Sequence, residues 1–200
     1  MAQYPTGKIR KRRTPRPLGR AALEELALAY AARFATSAAK LEAYLQRKLR
    51  ERGWEGREDG AEPPDTRALV ERFADKGYVD DESYARMRAG DLLRRGYGPR
   101  RIGQALHQAG IDEQLREDMT PGEAKRREAA IAMARKRRLG PFAAASRGEG
   151  EEARKRFEKQ LAAMVRAGHD FATARTVLDA QGEGELDQWL AEAREEERDA

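Results

Sequence analysis

The 200-residue sequence contains no cysteine. This absence excludes disulfide bonds and zinc sites built on thiolates. Aromatic residues are also scarce, at 6% of the chain against 38% charged residues. Because such a composition offers little to bury in one large core, we expect several small modules with thin cores.

Long apolar runs are absent as well. No stretch comes near the roughly 18 apolar residues of a membrane span. Arg12 and Arg13 near the N-terminus are followed by Thr14 and Pro15 rather than by the apolar core of a signal peptide. We therefore expect a cytoplasmic protein that makes no membrane contact.

Residues typical of catalytic sites are few. The two histidines, His107 and His169, have no partner at metal-ligand spacing, and none of the three serines lies in a nucleophile-elbow motif. Gly96-x-Gly98 is followed by Arg101 where a dinucleotide fingerprint needs its third glycine, and there is no Walker A lysine motif. We expect neither an enzyme nor a bound metal or cofactor.

What the chain does contain is helical periodicity. Leu23, Leu26, Ala27, Tyr30 and Phe34 form one apolar stripe, and similar stripes recur along the sequence. No segment shows sustained strand alternation, so the predicted fold class is all-α. N-caps are predicted at Thr36 or Ser37, at Asp65, at Asp80 or Asp81, and at Asp112, Thr120 and Asp170, where Thr120 opens a capping box.

Three helix stops recur at a regular interval. Gly53, Gly110 and Gly168 are 57 and 58 residues apart, and each follows an amphipathic helix. This spacing predicts tandem helical repeats that form an elongated molecule. The predicted division is a disordered basic tail (1–17), an N-terminal helix (18–35), a first three-helix repeat (36–97), a second (98–145), a third helical repeat (146–192) and an acidic fraying tail (193–200).

A basic joint lies between two of these helices. Gly96 suits a helix stop and Pro99 suits the first turn of the next helix. Arg100 and Arg101 follow at once, although cations are unfavourable beside the positive end of a helix dipole. We interpret this placement as a site where backbone N–H groups and guanidinium groups meet an anion. In the alternative, the arginines pair with internal acids such as Asp80, Asp81 or Glu82.

A second basic group follows in residues 125–138. Arginine can hold a phosphate or a carboxylate through two hydrogen bonds, so the anion could be DNA or an acidic protein surface. The candidate partner-binding or DNA-binding residues are Arg94, Arg95, Tyr97, Arg100, Arg101, Lys125, Arg126, Arg127, Arg135, Lys136, Arg137 and Arg138.

Around the joint, the sequence resembles the RecX family of regulators of the RecA recombinase. The resemblance rests on Gly77-Tyr78-Val79-Asp80-Asp81-Glu82-Ser83-Tyr84-Ala85, on Arg94-Arg95-Gly96-Tyr97-Gly98-Pro99-Arg100-Arg101-Ile102, and on Leu106 to Ile111. Weaker similarity extends it over about residues 20–180. The loop at 55–65, the alanine-rich first helix, helix 121–138 and the basic N-terminal tail depart from the family pattern.

The resemblance implies three tandem three-helix repeats in a curved, elongated molecule. It also implies a non-enzymatic protein that lodges in the groove of the RecA–single-stranded DNA filament and inhibits recombinase, ATPase and coprotease activities. We expect a monomer whose direct DNA binding, if any, is weak and salt-dependent. The alternative is a helix-turn-helix-like DNA-binding protein or transcription regulator, since short helices joined by tight turns can resemble such units.

Overall fold

The computed structural model describes residues 16–143 and 150–199. These residues form ten α-helices and one short 3-10 turn, Gly140–Phe142. The helices are α1 (Arg20–Arg33), α2 (Ala38–Arg52), α3 (Thr66–Asp75), α4 (Asp81–Arg94), α5 (Pro99–Gln108), α6 (Glu113–Asp118), α7 (Glu123–Arg137), α8 (Glu151–Arg166), α9 (Phe171–Asp179) and α10 (Glu183–Asp199).

Extended structure is limited, in the described residues, to one isolated bridge between Leu18 and Trp54. The all-α prediction is therefore confirmed. Nearly all of the predicted basic tail, and the first residues of the predicted third repeat, lie outside the described residues.

The chain divides into two compact units. The first contains the described residues up to Phe34 together with Leu41–Val79. Most of its buried side chains come from α1, α2 and α3, and include Leu23, Leu45 and Phe73. The bridge at Leu18 joins the segment before α1 to the end of α2, because the Leu18 N–H donates to the Gly53 carbonyl at 2.9 Å.

The second unit contains Ala35–Lys40 and all described residues from Asp80 onward. One core cluster of this unit joins α4 to α5, with Tyr84, Leu92, Ile102 and Leu106 buried together. A second cluster joins α7, α8, α9 and α10 around Met133, Met164, Val177 and Leu186. Tyr97 packs against both clusters and so connects them.

Most of the predicted N-caps are confirmed. The side chains of Asp65, Asp80, Asp112 and Asp170 each accept a hydrogen bond from the backbone N–H three residues later. Ser37 accepts from the Lys40 N–H at 3.3 Å in the same way. Each aspartate or serine satisfies one of the N–H groups that the first helical turn leaves unpaired.

The capping box predicted at Thr120 is wrong. Helix α7 begins at Glu123 after Gly122, and the Ala124 N–H donates to the Glu197 carboxylate at 2.9 Å. Glu197 lies on α10, which continues to Asp199 instead of fraying after residue 193 as predicted. The acidic end of α10 stays helical and supplies the negative charge that the N-terminus of α7 favours.

The predicted glycine stops are confirmed. Gly53, Gly110 and Gly168 all have positive φ angles and end α2, α5 and α8. Helix α7 ends in the same left-handed conformation at Arg138, with φ 55°, which is costly for a residue with a Cβ. Its terminal carbonyls are still satisfied, because the Leu139 N–H donates to the Ala134 carbonyl at 2.9 Å.

Helix ends meet end to end at two places in the second unit. Ser37, before the first turn of α2, donates its hydroxyl to the Ala109 carbonyl at the end of α5. The end of α8 meets the start of α5 through the Ala167 and Gly168 carbonyls. At both junctions the last carbonyls of one helix accept hydrogen bonds at the beginning of another, which pairs the opposite ends of two helix dipoles.

Candidate partner-binding surface

The joint between α4 and α5 begins with the end of α4. Gly96 has φ 82°, its N–H donates to the Leu93 carbonyl at 2.8 Å, and the Tyr97 N–H donates to the Leu92 carbonyl at 3.0 Å. This pattern is a Schellman motif, which favours glycine at the left-handed position. A Cβ on Gly96 would lie 2.8 Å from the Met133 nitrogen, so the joint also contacts α7 closely.

The start of α5 lies directly on the end of α8. The Gly98 N–H donates to the Ala167 carbonyl at 3.0 Å, and the Arg100 N–H donates to the Gly168 carbonyl at 3.2 Å. A Cβ on Gly98 would lie 2.4 Å from the carbonyl carbon and oxygen of Gly168. A side chain at Gly98 or at Gly168 would therefore separate the start of α5 from the end of α8.

This junction corrects one sequence interpretation. The first-turn N–H groups of α5 were expected to bind an external anion together with Arg100 and Arg101. The Arg100 N–H instead donates to Gly168, and the Arg101 N–H donates to Gly98 at 3.1 Å. Carbonyl oxygens of the chain occupy the positions that an anion would need, so only the two arginine side chains remain for a partner.

His169 is buried beneath the joint, with 1% of its surface exposed. Its Nε2 lies 3.1 Å from the Gly96 carbonyl oxygen. Because a carbonyl can only accept, Nε2 carries the proton, and Nδ1 has no hydrogen-bond partner among the described residues. Burial lowers the pKa of His169, against the opposing effects of the Gly96 carbonyl and the nearby Asp170.

The arginines at the joint have few acids to pair with. Asp91 lies 3.6 Å from Arg94, 3.7 Å from Arg95 and 4.0 Å from Arg88, so one carboxylate serves three cations. In the described part of the chain, Arg100 and Arg101 have no carboxylate within ion-pair distance. Of the internal acids expected as partners, Asp80 caps α4 and Asp81 accepts from the Ala38 N–H, whereas Glu82 does pair with one arginine of the cluster, Arg86.

Four of the candidate residues line one cleft. Arg95 and Tyr97 from the joint face Lys136 and Arg137 from the last turn of α7, with Met133 and Ala167 beneath them. We call Arg95, Tyr97, Lys136 and Arg137 the cationic cleft. Lys136 and Arg137 are exposed, and Arg95 lies with its guanidinium carbon 5.8 Å from the centre of the Tyr97 ring. The cleft therefore presents three cations around one half-buried aromatic ring.

Other basic residues of α7 bind within the chain. Arg127 donates to Glu123 at 2.8 Å and to the Trp189 carbonyl at 2.6 Å, and its guanidinium lies over the Trp189 ring. Arg126 also pairs with Glu123, and Arg135 pairs with Glu183 on α10. These contacts attach α7 to its own neighbours, which makes Arg127 in particular a structural residue.

The remaining candidates lie outside the cleft. Arg94 and Lys125 line a separate groove between α4 and α7, and Arg138 is exposed at the end of α7. A further group of cations, not among the predicted candidates, lies on α8, where Lys155, Lys159 and Arg166 border one shallow pocket together with Glu158. Interleaved acids hide this group in the sequence, although the spacing of i, i+4 and i+11 could have identified it.

Neither a metal-binding cluster nor a membrane-spanning helix occurs in the described part of the chain. Within residues 16–143 and 150–199, no three His, Cys, Asp or Glu side chains come together where they could hold a metal ion. Among the helices described above, none is both long and apolar enough to cross a membrane.

Known proteins are similar to this chain in sequence and in fold. Residues 80–119 match the family model described as RecX, second three-helix domain. The regulatory protein RecX of Myxococcus xanthus is 35% identical over 177 residues, which cover 86% of this chain and 92% of that protein. RecX of Neisseria gonorrhoeae is 30% identical over 110 residues, or 55% of this chain and 65% of that one.

A solved structure of a RecX protein has a similar fold. The crystal structure of RecX from Lactobacillus salivarius aligns with a TM-score of 0.61, at 18% identity, over 84% of this chain and 96% of that one. The helical-repeat fold expected from the spacing of the glycine stops is consistent with this similarity.

The close contact of Gly98 gives a stability prediction. Gly98→Ala places a Cβ against the Gly168 backbone, and we expect the free energy of unfolding to fall by about 1–3 kcal/mol. Gly103→Ala is the matched control, because a Cβ there meets no atom within 4 Å. Since alanine favours a helix over glycine, the control should gain up to ~1 kcal/mol. Chemical denaturation measures the free energy of unfolding of each variant. Equal changes in Gly98→Ala and Gly103→Ala would contradict the close contact between Gly98 and Gly168.

His169 predicts a pH dependence of stability. The folded state holds His169 at a lowered pKa, so the unfolded chain binds its proton more readily. The contribution of neutral His169 to the free energy of unfolding is fully present above its unfolded-state pKa of about 6.5. It is lost as the pH falls below that value. The free energy of unfolding should therefore decrease from about pH 7.5 to about pH 5.5.

The control for this prediction is His169→Gln. Its amide can still donate to the Gly96 carbonyl but does not titrate, so the decrease over the same pH range should be smaller than in the wild type. Asp and Glu side chains titrate mostly below this range, and the exposed His107 is present in both proteins. An equal pH dependence in both proteins would show that His169 is not responsible.

Proposed function

The chain belongs to the RecX family, and on that premise we propose that it binds the RecA–single-stranded DNA filament and inhibits RecA. The proposed action is regulatory rather than enzymatic, takes place in the cytoplasm, and lowers the recombinase, ATPase and coprotease activities of the filament. The relatives that match this chain are named regulatory proteins, which supports a role in regulation.

The observation that carries the proposal is the cationic cleft. Arg95, Lys136 and Arg137 come together from two elements that are far apart in sequence, and Tyr97 lies among them. Two of the cations are arginines, whose planar guanidinium groups suit phosphates and carboxylates equally. A nucleoprotein filament presents both kinds of anion, which makes it a suitable partner for this surface.

The end-to-end junction of α5 and α8 also holds the cationic cleft in a rigid position. Arg95 and Tyr97 lie in a joint that is fixed to α8 by hydrogen bonds from Gly98 and Arg100, and Gly96 is packed against α7. Binding groups held on packed elements lose less conformational entropy on association than groups on free loops. We propose that this rigidity is what lets exposed cations contribute measurably to binding.

We also propose that α4, α5 and α6 form the second repeat. Leu92 of α4 is buried with Ile102 and Leu106 of α5, so these helices share a core across the joint. The family model for the second three-helix domain covers 80–119, which is the same stretch. The boundary that the sequence analysis placed between residues 97 and 98 would then lie near residue 79, and the basic joint would lie within a repeat.

The experiment is inhibition of RecA-catalysed ATP hydrolysis on single-stranded DNA. The wild-type protein should slow hydrolysis, and the triple variant Arg95→Ala, Lys136→Ala, Arg137→Ala should need about tenfold more protein or greater for the same effect. That factor follows from three exposed ionic contacts at roughly 0.5–1 kcal/mol each. Because these side chains are not in a core, the melting temperature should change little.

A matched triple variant controls for charge alone. Arg67→Ala, Lys76→Ala, Arg175→Ala removes three exposed cations outside the cleft and should inhibit like the wild type. No inhibition by the wild type would contradict the proposed function. Equal loss in both triple variants would contradict the role of the cleft. Selection of a defined duplex DNA site would favour the transcription-regulator alternative.

A further inference from the structure

A second recess, distinct from the cationic cleft, lies between α4 and α7. It has a volume of about 430 Å³ and is lined by Gly90, Leu93 and Arg94 from α4 and by Lys125, Ala129 and Ala132 from α7. We call it the α4–α7 groove.

Gly90 is the first sign that the groove is kept open. It lies in the interior of α4, where glycine destabilises a helix relative to alanine. Its Cβ would meet only the end of the flexible Arg94 side chain, at 3.3 Å, and its φ angle is not positive. Glycine is therefore not needed at this position for the fold, and its effect is to leave the floor of the groove without a side chain.

The floor and one side of the groove are apolar. Ala129 is buried, and Leu93 and Ala132 are half-buried between the two helices. Met87, one turn before Gly90 on α4, is 47% exposed and extends the apolar surface along the helix. Such a floor suits the side chain of a leucine, isoleucine or methionine, and it has no polar side chain that could bind a phosphodiester.

The rim of the groove is positively charged. Arg94 is exposed and shares the single carboxylate of Asp91 with two other arginines. Lys125 is exposed and has no carboxylate within ion-pair distance in the described part of the chain. The one acid of the lining, Glu128, lies 3.8 Å from Arg194, which offsets its charge.

We propose that the α4–α7 groove binds an acidic peptide segment of the RecA protein, with one apolar side chain over Gly90 and flanking carboxylates towards Arg94 and Lys125. This inference rests on the proposed function and deepens it, because it assigns the protein component of the filament to this groove. The apolar floor with a cationic rim matches a segment that carries both kinds of group, whereas single-stranded DNA would match only the rim.

The test fills the groove without disturbing the core. Gly90→Leu adds a side chain at the open floor, and the helix should be at least as stable, because leucine favours helices over glycine. Gly184→Leu on α10 is the matched control, since a Cβ there meets no atom within 4 Å. Lys125→Glu provides an independent variant at an exposed position, which reverses the charge of the rim.

Binding is measured by fluorescence anisotropy against two separate probes, RecA without DNA and a labelled single-stranded oligonucleotide without RecA. We expect Gly90→Leu to weaken binding to RecA by about tenfold or more, because it removes the space for a well-packed anchor. Lys125→Glu should weaken it by about fivefold or more, because the reversal replaces an attraction of roughly 0.5–1 kcal/mol with a repulsion of similar size. Gly90→Leu should leave oligonucleotide binding unchanged, and Gly184→Leu should behave like the wild type with both probes.

Two results would overturn the inference. If both groove variants bind RecA as the wild type does, no segment of RecA occupies the groove. If Gly90→Leu loses affinity for the oligonucleotide instead, the occupant is DNA. Either result is compatible with a wild type that inhibits RecA ATPase, whereas a wild type that neither binds nor inhibits RecA would remove the proposed function itself.

Discussion

The close approach of Gly98 to Gly168 is the contact on which the second unit depends. Two backbone segments meet with no space for a Cβ, and the last carbonyls of α8 accept the N–H groups of Gly98 and Arg100. The contact fixes the start of α5, and through Gly96 and Tyr97 it also fixes the end of α4. Because α7 packs against Gly96, the basic last turn of α7 is held beside the joint.

That arrangement explains why the basic residues have different roles. Arg127 has its partners on α7 and α10, which makes it part of the packing, whereas Lys136 and Arg137 extend from the last turn towards the joint. Some of the many basic residues form ion pairs and hydrogen bonds within the chain. Among those that remain, Arg95, Lys136 and Arg137 lie where α4, α5, α7 and α8 converge, so the candidate surface is produced by the fold and not by one basic segment.

The sequence predicted the features that depend on neighbouring residues. Aspartate caps and the stops at Gly96 and Gly110 act within one helical turn, and the stripes that specify α-helices are local as well. Contacts between distant residues could not be predicted: Glu197 caps α7 across 73 residues, and Gly98 meets Gly168 from another helix. For the same reason the candidate list could not separate Arg127, which is bound internally, from Arg137, which is free to face a partner.

If the cationic cleft faces the filament, as we propose, a photoreactive group placed in the cleft should reach RecA or its DNA. Because the chain contains no cysteine, Lys136→Cys introduces a single attachment point for a photoreactive maleimide. We expect cross-links from this position to RecA or to its DNA in assembled filaments, and none from Arg67→Cys on α3. Cross-links from Arg67→Cys alone, with none from Lys136→Cys, would contradict the proposal.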